Sequence, residues 1–151
     1  MIALIQRVRS ASVDVDGKRI SETGPGLLAL VCAQKGDTKE EAAKLAARCA
    51  AYRLFPDEKG RMNLDIRQAG GEILAVSQFT LATDTSRGLR PGFDAAEKPE
   101  KAKGLFEIFV SEVASIGVPV KMGAFGEEMQ VSLVNDGPVT FWVEIPPKTT
   151  N

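Results

Sequence analysis

The sequence has 151 residues, 44% of them apolar and 26% charged, a composition typical of one globular domain with a buried core, so residues 1–151 are expected to form a single domain. Nineteen Lys and Arg against twenty Asp and Glu leave a net charge of -1. This excludes a strongly basic nucleic-acid binder but not a protein that holds only a nucleic-acid end. Histidine is absent, which excludes histidine triads, histidine general bases and histidine-ligated metals.

The first half of the chain predicts a sheet. Met1–Val8 reads as a first strand and Ala11–Val15 as a second, alternating segment. Asp16-Gly17 follows, and this dipeptide is typical of a tight hairpin turn. After a loop at residues 24–26, the apolar run Leu27–Cys32 predicts a central buried strand.

A helix is predicted to begin near Asp37-Thr38, because Thr38 followed by Glu41 matches a capping box. Residues 56–60 are expected to end the segment. Its apolar stripe is Ala42, Leu45, Cys49 and Tyr52.

The second half predicts further strands and a second helix, without an internal repeat of the first half. Ile73–Leu81 predicts another central strand, residues 83–98 a loop, and Pro99–Gly117 a helix with Gly117 as its stop. Met129–Asn135 and Val139–Ile145 then read as two strands, so the fold class is α+β. The buried face of this helix is predicted to be Leu105, Ile108, Phe109, Val113 and Ile116.

Cellular location is predicted from the cysteines and the hydropathy. Cys32 and Cys49 lie on separate predicted elements and form no CxxC pair, as in a reduced protein with buried thiols. The N-terminal segment lacks a signal-peptide pattern, and no apolar stretch reaches the roughly 18–20 residues of a membrane span. A soluble cytoplasmic protein is therefore expected.

The end of the second buried strand is the first candidate site. Alternation places Ser77 and Phe79 on one face of the strand and Gln78 and Thr80 together on the other. Two neighbouring polar side chains at a strand end can line a pocket, although a solvated sheet face is the commoner reason for such a pattern.

Two further candidates contain turn-forming residues. Within Asn135–Thr140, a cis Gly137-Pro138 bond would present backbone carbonyls in an unusual shape, but the residues alone favour a plain turn between two strands. The segment Arg87–Phe93 can contact a phosphate and stack on a base, although it reads more often as a solvated loop.

Together, SQFTL at Ser77–Leu81 and NDGPVT at Asn135–Thr140 closely resemble the two signature motifs of the D-aminoacyl-tRNA deacylase family. The resemblance covers nearly the whole chain, although Glu127 stands where a small residue is usual and Gly92 where serine is usual. Other matching segments, in order, are Ile5–Val8 with Ala11–Val13, Leu54–Asp57 with Met62-Asn63, Arg90-Pro91 with Phe93, and Gly123–Gly126 with Met129.

The resemblance implies a single-domain α+β fold of the D-tyrosyl-tRNA deacylase type, with largely antiparallel sheets in a barrel-like core and two main helices. It implies hydrolysis of the ester between a D-amino acid and the 3′-terminal adenosine of tRNA, and removal of glycine misattached to tRNA. It also implies a homodimer with two sites at the subunit interface, without a cofactor, a metal, DNA or a membrane as partner.

Roles for individual residues follow from the same resemblance. Gly137 and Pro138, joined by a cis bond, would reach into the site of the other subunit and reject L-amino acids sterically. Ser77, Gln78 and Met129 would line the substrate pocket. The charge adds a separate expectation: a protein of net charge -1 would need only a local basic patch to guide the acceptor stem, formed by Arg7, Arg87 and Arg90.

For the chemistry, Thr80 is the candidate nucleophile, but a threonine hydroxyl needs an adjacent base and the motif holds neither histidine nor lysine. We expect attack by water, with the backbone amide of Phe79 stabilising the oxyanion and the ribose 2′-hydroxyl assisting. Three alternatives stay open: a relative with a trans Gly-Pro bond that tolerates L-amino acids, a catalytically silent binding module, and a metal-dependent deacylase with carboxylate ligands.

Overall fold

The structure is a computed structural model that describes residues 1–149. Within these residues the strands are β1 (Ile2–Val15), β2 (Lys18–Thr23), β3 (Gly26–Cys32), β4 (Phe55–Pro56), β5 (Met62–Leu64), β6 (Glu72–Ser77), β7 (Val120–Met122) and β8 (Gln130–Glu144). The α-helices are α1 (Lys39–Ala51), α2 (Ile66–Ala69) and α3 (Pro99–Ile116), and a 3-10 turn covers Phe79–Ala82.

The main sheet is organised around β1. One edge of β1 pairs antiparallel with β3 and then with β2, while its other edge pairs antiparallel with β8. Beyond β3 the sheet continues with β6 and β7 in parallel pairings, so the sheet is mixed although most of its pairings are antiparallel as predicted. Lys121 Nζ donates to the Glu22 carbonyl at 2.8 Å across the gap between β7 and β2, which brings the sheet close to a closed barrel.

β1 is one strand where two were predicted. Val8 pairs with Asn135 and Ser10 with Val134, so β1 accommodates Arg9 as an extra residue and continues. The predicted hairpin after it is confirmed: Asp16 and Gly17 have φ values of 50° and 76°, and β2 returns antiparallel to β1.

The two faces of the sheet are covered differently. α1 and α3 pack on one face and build the larger core cluster, which includes Leu45, Phe109, Ile5 and Ile73. The opposite face carries a second group of buried side chains, the barrel cluster, whose members include Val13, Leu28, Leu74 and Val76.

Both predicted helices are present. The capping box at Thr38 and Glu41 is confirmed, since the Thr38 hydroxyl accepts a backbone N–H and the Glu41 carboxylate accepts the Thr38 N–H at 2.7 Å. α3 begins at Pro99 and ends before a left-handed Gly117, also as predicted. Tyr52 was wrongly placed in the buried stripe of α1: the helix ends at Ala51, and Tyr52 is its exposed C-cap.

A buried ion pair closes one end of the sheet. The Met1 ammonium lies 2.9 Å from Asp37 Oδ2, and both groups are fully buried. The same ammonium donates to the Ile145 carbonyl, and Asp37 Oδ2 also accepts the Gln34 N–H at 2.6 Å. In the part of the chain that the structure describes, no helix is long and apolar enough to cross a membrane.

Candidate active site

The first motif leaves the sheet earlier than predicted. β6 ends at Ser77, and Gln78 still donates its N–H to the Val31 carbonyl at 2.8 Å. The chain then enters the 3-10 turn, so the prediction of a strand up to Leu81 is wrong. The physical reason is burial: the turn places Ala82 against Ile2 on β1 and Cys32 on β3, where it is 6% exposed.

The turn still brings the two polar side chains of this motif together. Gln78 Nε2 donates to Thr80 Oγ1 across the turn, not along a strand face as the alternation predicted. Thr80 is exposed, and its carbonyl accepts the Thr83 hydroxyl. Phe79 is 57% exposed, and its ring forms an edge-to-face pair with the ring of Phe93 at a centroid distance of 5.2 Å.

The second motif is a bulge within a continuous strand rather than a turn between two strands. Thr140 pairs with Gln6 and Asn135 with Val8, so residues 136–139 of β8 stand opposite Arg7 alone. The chain does not reverse here, and the reading as a plain turn is wrong. The Gly137-Pro138 peptide bond is cis, and both residues are exposed at the outer edge of the sheet.

Side chains on both sides hold the shape of this bulge. Asn135 Oδ1 accepts the Val139 N–H at 2.8 Å, and Asn135 Nδ2 donates to Thr140 Oγ1 at 3.0 Å. From β1, Arg7 Nε donates to the Asp136 carbonyl at 3.0 Å. These bonds replace the strand-to-strand bonds that the bulge lacks, and they hold its exposed apex in one conformation.

The three predicted basic contacts lie in different surroundings. The Arg7 side chain is only 14% exposed, and its Nη1 donates to the Leu54 carbonyl at 2.6 Å, so its guanidinium is engaged within the chain. Arg87 and Arg90 are exposed on a loop that is closed by paired backbone bonds between Asp84 and Gly92 at 2.8 and 2.9 Å.

Met129, predicted to contact substrate, packs against the barrel cluster beside Val13 and Val76 and is half-buried. Its sulfur would lie 2.8 Å from a Cβ on Gly123, so the two residues fit tightly together. As a substrate contact it stays a prediction.

Part of the sheet face beside the first motif is open. Leu4 of β1 pairs with Leu30 on one side and with Trp142 on the other, so these three side chains form a row across the same face. Trp142 is 52% exposed and the two leucines are half-buried. No role was predicted for these residues, although the alternation of β1 extends to Leu4 and could have suggested that this face is apolar.

The two motifs are far apart within one chain. Ser77 is level with Val31 on β3 and, through it, with Ala3 on β1, whereas the bulge lies opposite Arg7. The bulge is therefore displaced from Ser77 by four residues along β1 and by three strand spacings across the sheet. These two displacements combine to a distance of about 20 Å between the motifs. Two shallow clefts of about 270 and 460 Å³ lie along β2, and neither is lined by a residue of the motifs.

Two groups near the first motif have a shifted pKa. Burial raises the pKa of the Cys32 thiol, and the Ser86 hydroxyl, which donates to Asp84 Oδ1 at 2.6 Å, lowers the pKa of the exposed Asp84 carboxyl. Within residues 1–149 no cluster of three or more His, Cys, Asp or Glu side chains could hold a metal ion.

The chain matches the model of a known protein family. The family model described as D-Tyr-tRNA(Tyr) deacylase matches residues 4–144, and the chain belongs to that family of hydrolases.

Relatives at high identity support the assignment. A D-aminoacyl-tRNA deacylase of Cereibacter sphaeroides is 56% identical over 144 residues, covering 95% of this chain and 99% of that protein. One of Thioalkalivibrio sulfidiphilus is 54% identical over 147 residues, covering 97% and 99%. Among solved structures, the c-Myc DNA Unwinding Element Binding Protein matches with a TM-score of 0.92 at 38% identity, covering 97% and 99%. A probable eukaryotic D-amino acid tRNA deacylase shares the fold, with a TM-score of 0.78 at 15% identity, covering 95% and 98%.

Proposed function

We propose that this chain hydrolyses the ester bond between a D-amino acid and the 3′-terminal adenosine of tRNA, releasing the free D-amino acid and the tRNA. Family membership and identities of 54% and 56% to proteins named D-aminoacyl-tRNA deacylase support the proposal. The observation that carries it is the bulge of β8: Arg7 bonds the Asp136 carbonyl and Asn135 bonds the Val139 N–H, so both sides of the exposed Gly137-Pro138 pair are held. Such a substrate assigns the enzyme to the cytoplasm, where tRNA is charged.

The working unit is a homodimer. β8 pairs only with β1 among the described strands, which leaves a 15-residue edge with Trp142 and Phe141 exposed by 52% and 41%. A long unpaired strand edge with large exposed apolar side chains is typical of a surface that binds another protein chain. Because about 20 Å separates the motifs within one chain, a second copy that brings its own bulge to the open face would complete each site.

Gly137 and Pro138 of the second copy act as the chiral filter. Their backbone carbonyls face the α-carbon of the bound amino acid and leave no space for a side chain in the L configuration. Glycine carries no side chain that could clash, so glycyl-tRNA is a second substrate. Because this steric barrier consists of backbone atoms, replacing a neighbouring side chain does not remove the barrier.

Water is the nucleophile. The Thr80 hydroxyl already accepts a hydrogen bond from Gln78 Nε2 and has no base beside it. Water adds to the ester carbonyl, and the N–H groups of Phe79 and Thr80, at the start of the 3-10 turn, stabilise the oxyanion. The ribose 2′-hydroxyl relays the proton of the water to the departing 3′-oxygen, so a 2′-deoxy terminus should bind but react slowly.

Arg87 and Arg90 contact the phosphates of the acceptor end, since both are exposed on the loop closed by Asp84 and Gly92. Two contacts to single-stranded phosphates give a slope of about -1.4 in a plot of log affinity against log salt. Replacing both arginines by glutamine should make affinity nearly independent of salt. A slope several times steeper would mean that the protein holds much of the tRNA body.

Binding to duplex DNA is not part of this function. One structural relative is named c-Myc DNA Unwinding Element Binding Protein, but this chain has a net charge of -1, far from the strongly basic surface of a duplex binder. A gel-shift assay with duplex DNA at physiological salt should therefore show no specific complex.

The deciding experiment is deacylation of matched D- and L-tyrosyl-tRNA in the presence of chelator, with Thr80→Ala beside the wild type. We expect rapid, D-selective hydrolysis that persists in Thr80→Ala. Loss of activity in a folded Thr80→Ala would show that the threonine takes part in the chemistry. Equal hydrolysis of both enantiomers would show that Gly137 and Pro138 do not act as a chiral filter. If the folded wild type hydrolyses neither substrate, the chain is a binding module. Activity that chelator abolishes would indicate a metal-dependent deacylase.

A further inference from the structure

Cys32 lies directly beneath the turn that carries Thr80. It is the last residue of β3, is 1% exposed and packs with Ile2 and Ala82 in a small apolar cluster. Its Sγ is 3.6 Å from the Phe79 carbonyl oxygen and 3.5 Å from the Ala33 carbonyl oxygen. The side chain of Cys32 thus contacts the backbone of the turn as well as packing under it.

The thiol can act as a donor to this carbonyl. Burial raises the pKa of the Cys32 thiol above its ordinary value, so the sulfur carries its proton at neutral pH. The Ala33 carbonyl, the other acceptor within reach, also accepts the N–H of Glu97 at 3.0 Å, so one of its two lone pairs is already used. A hydrogen bond from S–H to the Phe79 carbonyl is therefore available throughout the physiological pH range, although such a bond is weak by itself.

Because a peptide unit is planar, the contact of Cys32 with the Phe79 carbonyl also sets the direction of the Thr80 N–H. The Phe79 carbonyl and the Thr80 N–H belong to one planar trans unit and point in opposite directions. A carbonyl held inward by Cys32 directs the Thr80 N–H outward, away from the cluster. Because Thr80 is in the first turn of a short helix, its N–H has no acceptor within that helix and stays available to a ligand.

We propose that Cys32 is a positioning residue of the deacylation: by holding the Phe79 carbonyl, it aims the Thr80 N–H at the place where the substrate oxyanion forms. This role rests on the proposed function. It concerns the transition state more than substrate binding, because a tetrahedral oxyanion needs the donor more than a neutral ester carbonyl does. Misdirection of the donor therefore lowers kcat and leaves KM nearly unchanged.

The chain supplies its own matched control. Cys49 is also a fully buried free cysteine, but it lies in α1 within the larger core cluster, on the other face of the sheet from Cys32. Replacing either cysteine by valine removes the thiol and keeps an apolar side chain of similar size. Only the replacement at Cys32 removes a contact to the motif.

The experiment measures kcat and KM for D-tyrosyl-tRNA with Cys32→Val, Cys32→Ser and Cys49→Val, each checked by its melting temperature. A single oxyanion donor is worth about 10²–10³ in kcat, and since a misdirected donor keeps part of this effect, Cys32→Val is expected to lose about five- to ten-fold. Cys32→Ser retains a donor and should stay within about two-fold of the wild type. Cys49→Val should keep its kcat even where its melting temperature falls. Cys32→Ala replaces Cys32→Val if the latter does not fold.

A readout independent of turnover is the amide NMR signal of Thr80. It should shift in Cys32→Val, return toward its wild-type position in Cys32→Ser and stay unchanged in Cys49→Val. The inference is overturned if Cys32→Val keeps the wild-type kcat, or if Cys32→Ser loses as much kcat as Cys32→Val. A folded wild type that hydrolyses no D-aminoacyl-tRNA overturns the proposed function itself, and the catalytic role of Cys32 with it. That result is distinct from an active wild type whose cysteine variants are equally active.

Discussion

Gly137→Ala is the sharpest perturbation of the bulge that the structure offers. Gly137 has a φ of 148°, a conformation that residues with a Cβ rarely adopt. A Cβ built there would lie 2.6 Å from Val139 Cγ2 and 2.7 Å from the Val139 backbone nitrogen. The Val139 N–H donates to Asn135 Oδ1 at 2.8 Å, so this nitrogen cannot move away without breaking that hydrogen bond.

The cost has two parts. Holding a residue other than glycine in this backbone region costs about 1–3 kcal/mol. Relief of the contact with Val139 costs about 1–3 kcal/mol more unless the bulge changes shape. Because the bulge lies at the sheet edge, we expect it to relieve part of both costs by changing shape, which leaves an overall loss of about 3 kcal/mol, or about 6–12 °C in melting temperature for a chain of this length.

The assay compares the melting temperature and the ratio of D- to L-tyrosyl-tRNA hydrolysis. Gly137→Ala should remain folded, lose most of its deacylase activity and lose its preference for D substrate, since the displaced carbonyls no longer bar the L side chain. Gly104→Ala is the control: a Cβ there meets nothing within 4 Å, and alanine within α3 should stabilise by about 0.5–1 kcal/mol. A Gly137→Ala protein with wild-type stability and an unchanged D-to-L ratio would refute this reasoning.

Three further substitutions test other parts of the structure. Asp37→Asn breaks the buried pair with the Met1 ammonium and should lower the free energy of unfolding by about 3 kcal/mol, measured by urea titration; a loss below about 1 kcal/mol would contradict it. The Thr38 hydroxyl lowers the pKa of Glu41, so the stability that this carboxylate contributes is complete above about pH 4.5 and is lost as pH falls through the lowered folded pKa. Glu41→Gln should thus be less stable than wild type by about 1 kcal/mol at pH 7, and the gap should close in acid; a gap that is constant with pH would argue against the capping box as its source. Trp142→Lys places a charge on the open face and should give a folded but inactive monomer by sedimentation; an active dimer would remove this face from the interface.

The local elements could be predicted from the sequence because their signals lie within a few residues of each other. Thr38 and Glu41 are three positions apart, and the side chain of each accepts a backbone N–H at the start of α1. Asp16 and Gly17 are adjacent and both tolerate the positive φ that the hairpin turn requires. The resemblance of the two motifs to a known family also lies in the sequence alone, and the family match over residues 4–144 confirms it.

The path of the backbone through the two motifs depended on residues far away along the chain. Alternation over Ile73–Leu81 fits a strand, yet the chain turns after Ser77 because Ala82 is buried against Ile2 and Cys32, which lie 80 and 50 positions earlier. The residues of NDGPVT favour a turn, and only the pairing of both flanking segments with β1 makes them a bulge.

The environment of single side chains was likewise set by the tertiary structure. Arg7 reads as a free cation in the sequence, but its guanidinium is held by carbonyls 47 and 129 positions away. The apolar pattern of Cys32 predicted burial correctly and gave no sign of the Phe79 carbonyl beside it. Periodicity and capping describe what a segment does with its near neighbours, whereas a strand end, a bulge and a hydrogen-bond partner depend on which distant segment packs against it.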